Sequence, residues 1–297
     1  MFNIQEYYEV ETVKEALMYL AKHPEFTLIA GGTDVLIKMH SGQIEKAKLL
    51  SLRNIDSLKA VKKLPDGTLE IGPLVTFSQI SKDSIIEKNI PLLKEAANAM
   101  GGPQIRNIAT LGGNLCNGAT SADSAPSLLV LKASLKLESL SGERIIPIEE
   151  FYMGPGKVNL QPGEILTQIL ISPKSYKGFG GHMIKFAMRK AMDIATIGVA
   201  VVCKTTHDEV VDTVRIALGV AGPTPLRCYE AENYAKGKRL STETLVEIGR
   251  LAVQSMKART SWRASREYRE HLVGELTQRA LNVAISRARG EINAEKN

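Results

Sequence analysis

A strand-like run through Thr27, Leu28, Ile29 and Ala30 ends in Gly31 and Gly32 and continues through Thr33, Asp34 and Val35. Paired glycines let the backbone take positive φ and turn successive N–H groups to one side, which makes an anion-binding nest. With no Cβ in the way, a pyrophosphate can approach such a main chain closely. A tight turn after a strand uses the same residues, and for an isolated Gly-Gly that explanation is preferred. No third glycine follows at the spacing of the G-x-G-x-x-G fingerprint, so a Rossmann-type site is excluded.

A second glycine pair stands in a long run of small and polar residues. Ala109, Thr110 and Leu111 lead into Gly112, Gly113 and Asn114, and Asn117 and Asp123 follow. This stretch offers N–H groups at Gly112 and Gly113, amides at Asn114 and Asn117, and a hydroxyl at Thr110. Asp123 is able to accept hydrogen bonds from sugar-like hydroxyls. Two such loops suit a long, doubly phosphorylated, polyhydroxylated ligand, and FAD fits that description. A single loop packed on itself has the same composition, and composition alone leaves the two readings level.

Other chemistries find little support. Cys116, Cys203 and Cys228 lie far apart, with no C-x-x-C and no Cys/His cluster, so the chain has no zinc or iron–sulfur motif of its own. The five histidines are scattered. Net charge is +6, yet lysines and arginines are interleaved with acids and no aromatic-studded basic tract occurs, which argues against nucleic acid. The densest cationic patch, Arg259, Arg263, Arg266 and Arg269, also holds Glu267 and Glu270 and reads as a solvated or subunit-facing helix surface. The N-terminus lacks a basic region followed by an apolar stretch, and the apolar run at 197–203 is too short to cross a bilayer. A cytoplasmic chain without a membrane span is expected.

The elements that must position the two loops can be read from periodicity. Thr12 and Glu15 form a capping-box pattern ahead of an amphipathic helix that His23 and Pro24 end. Strands are expected at 26–30, 49–52 and 69–74, and helices at 76–86 and 91–100. Residues 101–126 read as one long loop, a length that in a compact domain points to function. Strands follow at 128–140, turning through Ser141, Gly142 and Glu143 into 144–148, and again at 164–171. Residues 173–181 form the best boundary, dividing the chain into 1–176 and 177–297. The second part opens with strands at 182–188, 196–205 and 210–220, the last two joined around His207 and Asp208. Helices at 242–258 and 265–289 complete an α+β unit whose helices cover one face of its sheet.

The motif Ala30 to Asp34, followed by the run from Pro103 to Ala125, resembles the FAD-binding signature of molybdenum hydroxylase flavoprotein subunits. Gly154 to Lys157, Gly163 to Leu166, Lys185 to Ile194 and Ser261 to Arg266 agree with it, most closely in the xanthine dehydrogenase type. The resemblance runs from Met1 to about residue 290. It implies an α+β fold: a vanillyl-alcohol-oxidase (PCMH-type) FAD-binding domain of two α+β subdomains, plus a C-terminal α+β domain with an antiparallel sheet. No cysteine-rich insertion of the kind found in hydroxybenzoyl-CoA-reducing relatives is present, which sets that branch aside.

Carried over residue by residue, the resemblance implies that Thr27 through Asp34 wrap the pyrophosphate and adjoining parts of FAD. Ala109 through Gly113, with Asn114, hold its other side, while Asn117 and Asp123 bind the ribityl or phosphate region. Ile165 or Leu166 and Lys185 fall where the family contacts the adenine end and the outer face of the cofactor. Met100 stands where some relatives place an aromatic near the flavin.

The resemblance further implies partners: a large subunit with the molybdenum cofactor and a small subunit with two [2Fe–2S] clusters, in a heterotrimer able to dimerise. Electrons from oxidation of hypoxanthine, xanthine or a related purine would pass through the clusters to the flavin and on to NAD⁺. The alternative is a sister enzyme acting on another N-heterocycle or an aldehyde. No catalytic acid or base is expected in this chain. Lys185, Arg189 and Lys190 are candidates to attract nicotinamide phosphates, and Asp193 to adjust the flavin potential. A free-standing flavin oxidase would need a catalytic cap that is not evident, and a cofactor-free partner protein would not need the intact glycines.

Overall fold

The computed structural model describes residues 3–206 and 210–291 of the chain. The expected turn at His207 and Asp208 lies outside the described residues. Within them the class is α+β, as the sequence implies.

The first unit runs β1 (Ile4–Glu9), α1 (Val13–Lys22), β2 (Thr27–Ile29), α2 (Val35–His40) and β3 (Ala47–Ser51). Its sheet is parallel, in the order β1-β3-β2. The Thr12 hydroxyl caps α1 by accepting from the Glu15 N–H at 3.1 Å, while the Glu15 carboxylate accepts from the N–H of Glu11 at 3.0 Å. Ala16, Leu17 and Leu20 of α1 then bury against Leu50, Leu52 and Ile55. β1 is exposed along its whole length and carries three acids or amides, a charged edge that periodicity does not reveal.

The second unit begins with β4 (Val61–Lys63), β5 (Leu69–Ile71), α3 (Phe77–Lys82), α4 (Ser84–Asn89) and α5 (Pro91–Ala99). It continues with α6 (Pro103–Arg106), α7 (Leu111–Cys116), α8 (Ala125–Val130), β6 (Ser134–Ser139) and β7 (Gly142–Pro147). β8 (Tyr152–Gly154), β9 (Lys157–Val158), β10 (Ile165–Ile171) and α9 (Pro173–Tyr176) close it. The antiparallel sheet has the order β4-β5-β10-β6-β7. Three sequence expectations change here. The helix expected at 76–86 is two, because the Asp83 carboxylate accepts from the N–H groups of Ile85 and Ile86 and starts a new helix. The stretch 101–126 is not one loop but contains α6 and α7. Residues 128–130 belong to α8, so the strand expected from 128 begins only at Ser134.

The third unit is an antiparallel sheet, β11 (Gly180–Phe186), β12 (Ile197–Thr205), β13 (Val211–Gly219) and β14 (Leu226–Arg227). Helices α10 (Tyr229–Ala235), α11 (Thr242–Ser255) and α12 (Arg266–Ala288) follow. Strand alternation divides the sheet cleanly. Val199, Val201, Ile216 and Leu218 face α11 and α12, and join Ile248, Ala252, Leu276 and Ala280 in one core. The alternate residues Met183, Ala200, Val202 and Ala217 enter the large core of the second unit with Leu92, Leu93 and Leu128. Both faces are therefore covered, the inner one by α5 and α8.

Candidate functional site

The first glycine loop leaves β2 where Ile29 pairs with Ser51 of β3 and turns into α2. Gly32 has φ +73°, a conformation suited to glycine. Where the loop enters α2, the carbonyl of Gly32 accepts from Leu36 and that of Asp34 from Lys38, both at 2.9 Å. The N–H groups of Gly31, Gly32, Thr33 and Asp34 donate to no group among the described residues. Successive donors left open at the end of a strand form a cradle for an anion. The Asp34 side chain makes no cap bond, and burial pushes its carboxyl above the usual range, with Lys38 pulling the other way.

Gly31 faces the second loop rather than open space. A Cβ on Gly31 would stand 1.9 Å from the carbonyl oxygen of Ile108 and 3.0 Å from the Cα of Ala109. The two glycine motifs, far apart in sequence, are thus in main-chain contact. A second tie is the Lys38 ammonium, which donates to the Asn117 side-chain oxygen at 2.7 Å.

Within the second loop the roles expected from composition change. The N–H of Gly112 donates to the Pro73 carbonyl at 2.8 Å, and a Cβ there would meet the Pro73 ring at 2.4 Å. The N–H of Gly113 donates to the Thr110 hydroxyl, which caps α7. Leu111 donates to Val75, and the Ala109 carbonyl accepts from Phe77. Both glycine N–H groups and the Thr110 oxygen therefore have partners inside the chain. They fasten the loop to residues 73–77 instead of offering a second row of free donors. Asn114 acts similarly, its side-chain oxygen accepting from the Ser124 hydroxyl at 2.6 Å.

Asp123 and Lys185 form an ion pair of 2.8 Å with both side chains nearly inaccessible, and Lys185 also donates to the Ala99 carbonyl at 3.0 Å. Burial pushes the Asp123 carboxyl up to about 6, and Lys185 only partly opposes it. Desolvation of the carboxylate outweighs the attraction of its partner. The pair fixes the end of β11 to the segment that follows α7.

Ile165, at the start of β10, is buried with Leu74 in the small first core, against which Leu28 and Ala30 pack. It supports the first loop from below. Leu166 faces the other core, as does Met100. Thr27 pairs with Leu49 in the parallel sheet. Sequence reasoning missed Lys38, whose helix is only six residues long, and Arg106, whose guanidinium donates to the carbonyls of Asn98, Met100 and Gly101. It also missed Gly118, whose backbone, at φ +64°, lies against Gly156 and accepts its N–H at 3.0 Å. The segment after β11 reaches over the same region, where the Met192 N–H donates to the Gly101 carbonyl at 3.2 Å. In it the Asp193 carboxylate accepts from the N–H groups of Arg189 and Ile194.

The three thiols are poorly placed for redox or ligand chemistry, since burial pushes Cys116, Cys203 and Cys228 each up to about 12. Among the described residues no group of three His, Cys, Asp or Glu side chains is placed to hold a metal. No helix there is long and apolar enough to cross a membrane.

An open donor cradle braced against a second glycine loop is suited to a dinucleotide with a diphosphate bridge. Residues 2–175 match the family of the FAD binding domain in molybdopterin dehydrogenase, and residues 182–284 match the CO dehydrogenase flavoprotein C-terminal domain. The chain belongs to the FAD-binding subunits of the molybdenum hydroxylases, and is an oxidoreductase subunit of that family. Among its relatives it is 41% identical over 292 residues to the xanthine dehydrogenase FAD-binding subunit of Escherichia coli O157:H7, covering 98% of this chain and 100% of that one. The fold is similar to that of carbon monoxide dehydrogenase from Hydrogenophaga pseudoflava, with a TM-score of 0.91, 27% identity, and 97% and 99% of the two chains covered. It is likewise similar to quinoline 2-oxidoreductase from Pseudomonas putida 86, with a TM-score of 0.91 at 25% identity over 97% of this chain and 99% of that one.

Proposed function

We propose that this chain is the electron-transfer subunit of a xanthine dehydrogenase-type complex that oxidises a purine such as hypoxanthine or xanthine and reduces NAD⁺. Its partners in this reading are a large subunit carrying the molybdenum cofactor and a small subunit carrying [2Fe–2S] clusters, and its compartment is the cytoplasm. Residues 1–176 form the flavin-binding part and 177–297 the C-terminal domain of the flavoprotein in this reading. The observation that carries the reading is the run of N–H groups from Gly31 to Asp34 that have no acceptor among the described residues, in a loop whose Gly31 packs against the second glycine loop. The 41% identity to a xanthine dehydrogenase subunit supports the choice within the family.

When bound, FAD supplies the two-electron chemistry that joins one-electron iron–sulfur carriers to a nicotinamide. The chain's own residues bind and orient it. The N–H groups of Gly31 through Asp34 cradle the diphosphate, and Lys38 with Asn117 holds the second loop against that cradle. Asp123 and Lys185 set charge and hydrogen bonding along the ribityl side. Arg189 and Lys190, both exposed, supply positive charge to attract the phosphates of NAD⁺.

Flavin absorbance of the purified chain, followed by NADH-dependent dye reduction, tests the reading. Stoichiometric FAD and NADH oxidation are expected. Purification of the native complex with metal analysis and a substrate screen then tests the partners. Molybdenum and iron are expected in the complex and not in the isolated chain, with purines preferred. Turnover of a different N-heterocycle or an aldehyde, with purines inert, would move the chain to a sister enzyme.

A further inference from the structure

A cleft well formed enough to hold a small molecule lies away from the glycine loops. It has a volume of about 710 Å³ and lies between α9, α10 and the first half of β13 in the third sheet. That volume is within the range of small-molecule sites. Its lining holds Lys132, Lys174, Lys177, Lys204, Lys236 and Arg215, together with the Arg227–Glu232 pair. The carboxylates are already engaged. Glu232 takes Arg227 at 2.6 Å, and Asp212 stands 3.7 Å from Lys204. Glu149, behind the cleft, lies 3.4 Å from the same Arg227.

Arg215 is the exception. It is 5% exposed, has no carboxylate within ion-pairing distance, and its Nε has no hydrogen-bond partner. One Nη donates to the Ser175 carbonyl, and the guanidinium stacks 4.4 Å from the centre of the Phe179 ring. Burial, and then the neighbouring Arg227, push this guanidinium down to about 10. A buried cation without a counter-ion is costly, and a ring of lysines at the mouth adds to the deficit. Glu232 and Glu149 act on Arg215 only through space, each being ion-paired to Arg227, so the positive charge of the cleft is only partly offset from inside the chain.

We infer that this cleft is a binding site for a small polyanion, of the di- or triphosphate class, whose charge completes the Arg215 site while the lysine rim holds its outer groups. Charge-assisted hydrogen bonds to phosphate oxygens suit both residue types. The concave shape and a buried cation that lacks a carboxylate partner favour a compact ligand over a flat protein surface. The cleft is distinct from the flavin cradle. Lys185 and Arg215 lie on the same face of the sheet but opposite Gly198 and Val202 of β12, four residue steps or about 13 Å apart along that strand.

The test is calorimetric titration of the full chain with inorganic tripolyphosphate in the presence of saturating FAD, which occupies the other phosphate-binding loops. Saturable one-site binding is expected, weakening with added salt. Lys174→Glu combined with Lys236→Glu, both at exposed positions, is expected to reduce the affinity by roughly tenfold or more. Arg215→Gln is expected to do the same, and where that variant fails to fold the lysine pair decides. Absence of saturable binding to the wild-type chain would overturn the inference, as would unchanged affinity in the lysine double variant. Binding in the cleft is independent of whether the chain reduces NAD⁺, so the two readings fail separately.

Discussion

Lys38 and Asn117 meet at 2.7 Å across the two glycine loops, joining the helix that follows the first to the residue that ends α7 of the second. The contact is partly buried and charge-assisted. It spans 79 residues of sequence, so it closes the site rather than stabilising either loop locally.

Removing this tie should loosen the cofactor more than the fold. Lys38→Met is expected to cost about 1–2 kcal/mol of FAD binding, or roughly tenfold in Kd. Fluorescence titration of the apoprotein with FAD measures it. An unchanged Kd would mean that the loops hold their spacing without the bridge.

Gly31 is the most constrained glycine of the site. In Gly31→Ala the new methyl must displace the Ile108 carbonyl, so a loss of about 2 kcal/mol or more in stability is expected, with loss of bound flavin. Gly154→Ala is the control. Nothing lies within 4 Å of a Cβ there, and the change should stay within about 0.5 kcal/mol. Urea unfolding of both variants settles the comparison.

Asp123 gives the apoprotein a pH signature. Its carboxyl is raised to about 6 in the folded chain, above the ordinary Asp value of 3.8. Between these values the folded state binds the extra proton, so the contribution of Asp123 to stability falls as pH rises from about 4 to about 6 and is level above that. The stability of wild type relative to Asp123→Asn should therefore decline over that window. A difference that rises with pH there would show the Lys185 attraction to be dominant after all.

Asp193 places a carboxylate on the segment that contacts Gly101. Asp193→Ala is expected to move the flavin midpoint potential in the positive direction, because removal of a negative charge favours the reduced cofactor. Spectroelectrochemical titration reads it. An unchanged potential would rule out the electrostatic role and leave Asp193 as a brace for the Arg189 and Ile194 N–H groups.

Periodicity alone located α1, α5, the β6–β7 hairpin, β10 and most of the third unit, because those elements bury a regular face. It did not locate β1, which is exposed throughout, or α2, which is too short to show a period. The run 101–126 looked like loop because small residues carry no apolar pattern; its helices α6 and α7 are held by contacts to residues that sequence spacing does not connect, such as Pro73 with Gly112. Both glycine motifs were legible as chemistry. Their division of labour was not, since only the folded chain shows that the N–H groups of Gly112 and Gly113 are taken while those around Gly31 are open.

The sheet of the third unit has apolar side chains on both surfaces, one set meeting α11 and α12 and the other meeting α5 and α8. Separating the chain near residue 177 would leave α11 and α12 on their surface but bare the other one together with the wall of α5 and α8 that covers it, so neither fragment would be a self-sufficient module. Heating should melt the chain in a single step, and any ligand that grips one half will stiffen the other through that common wall.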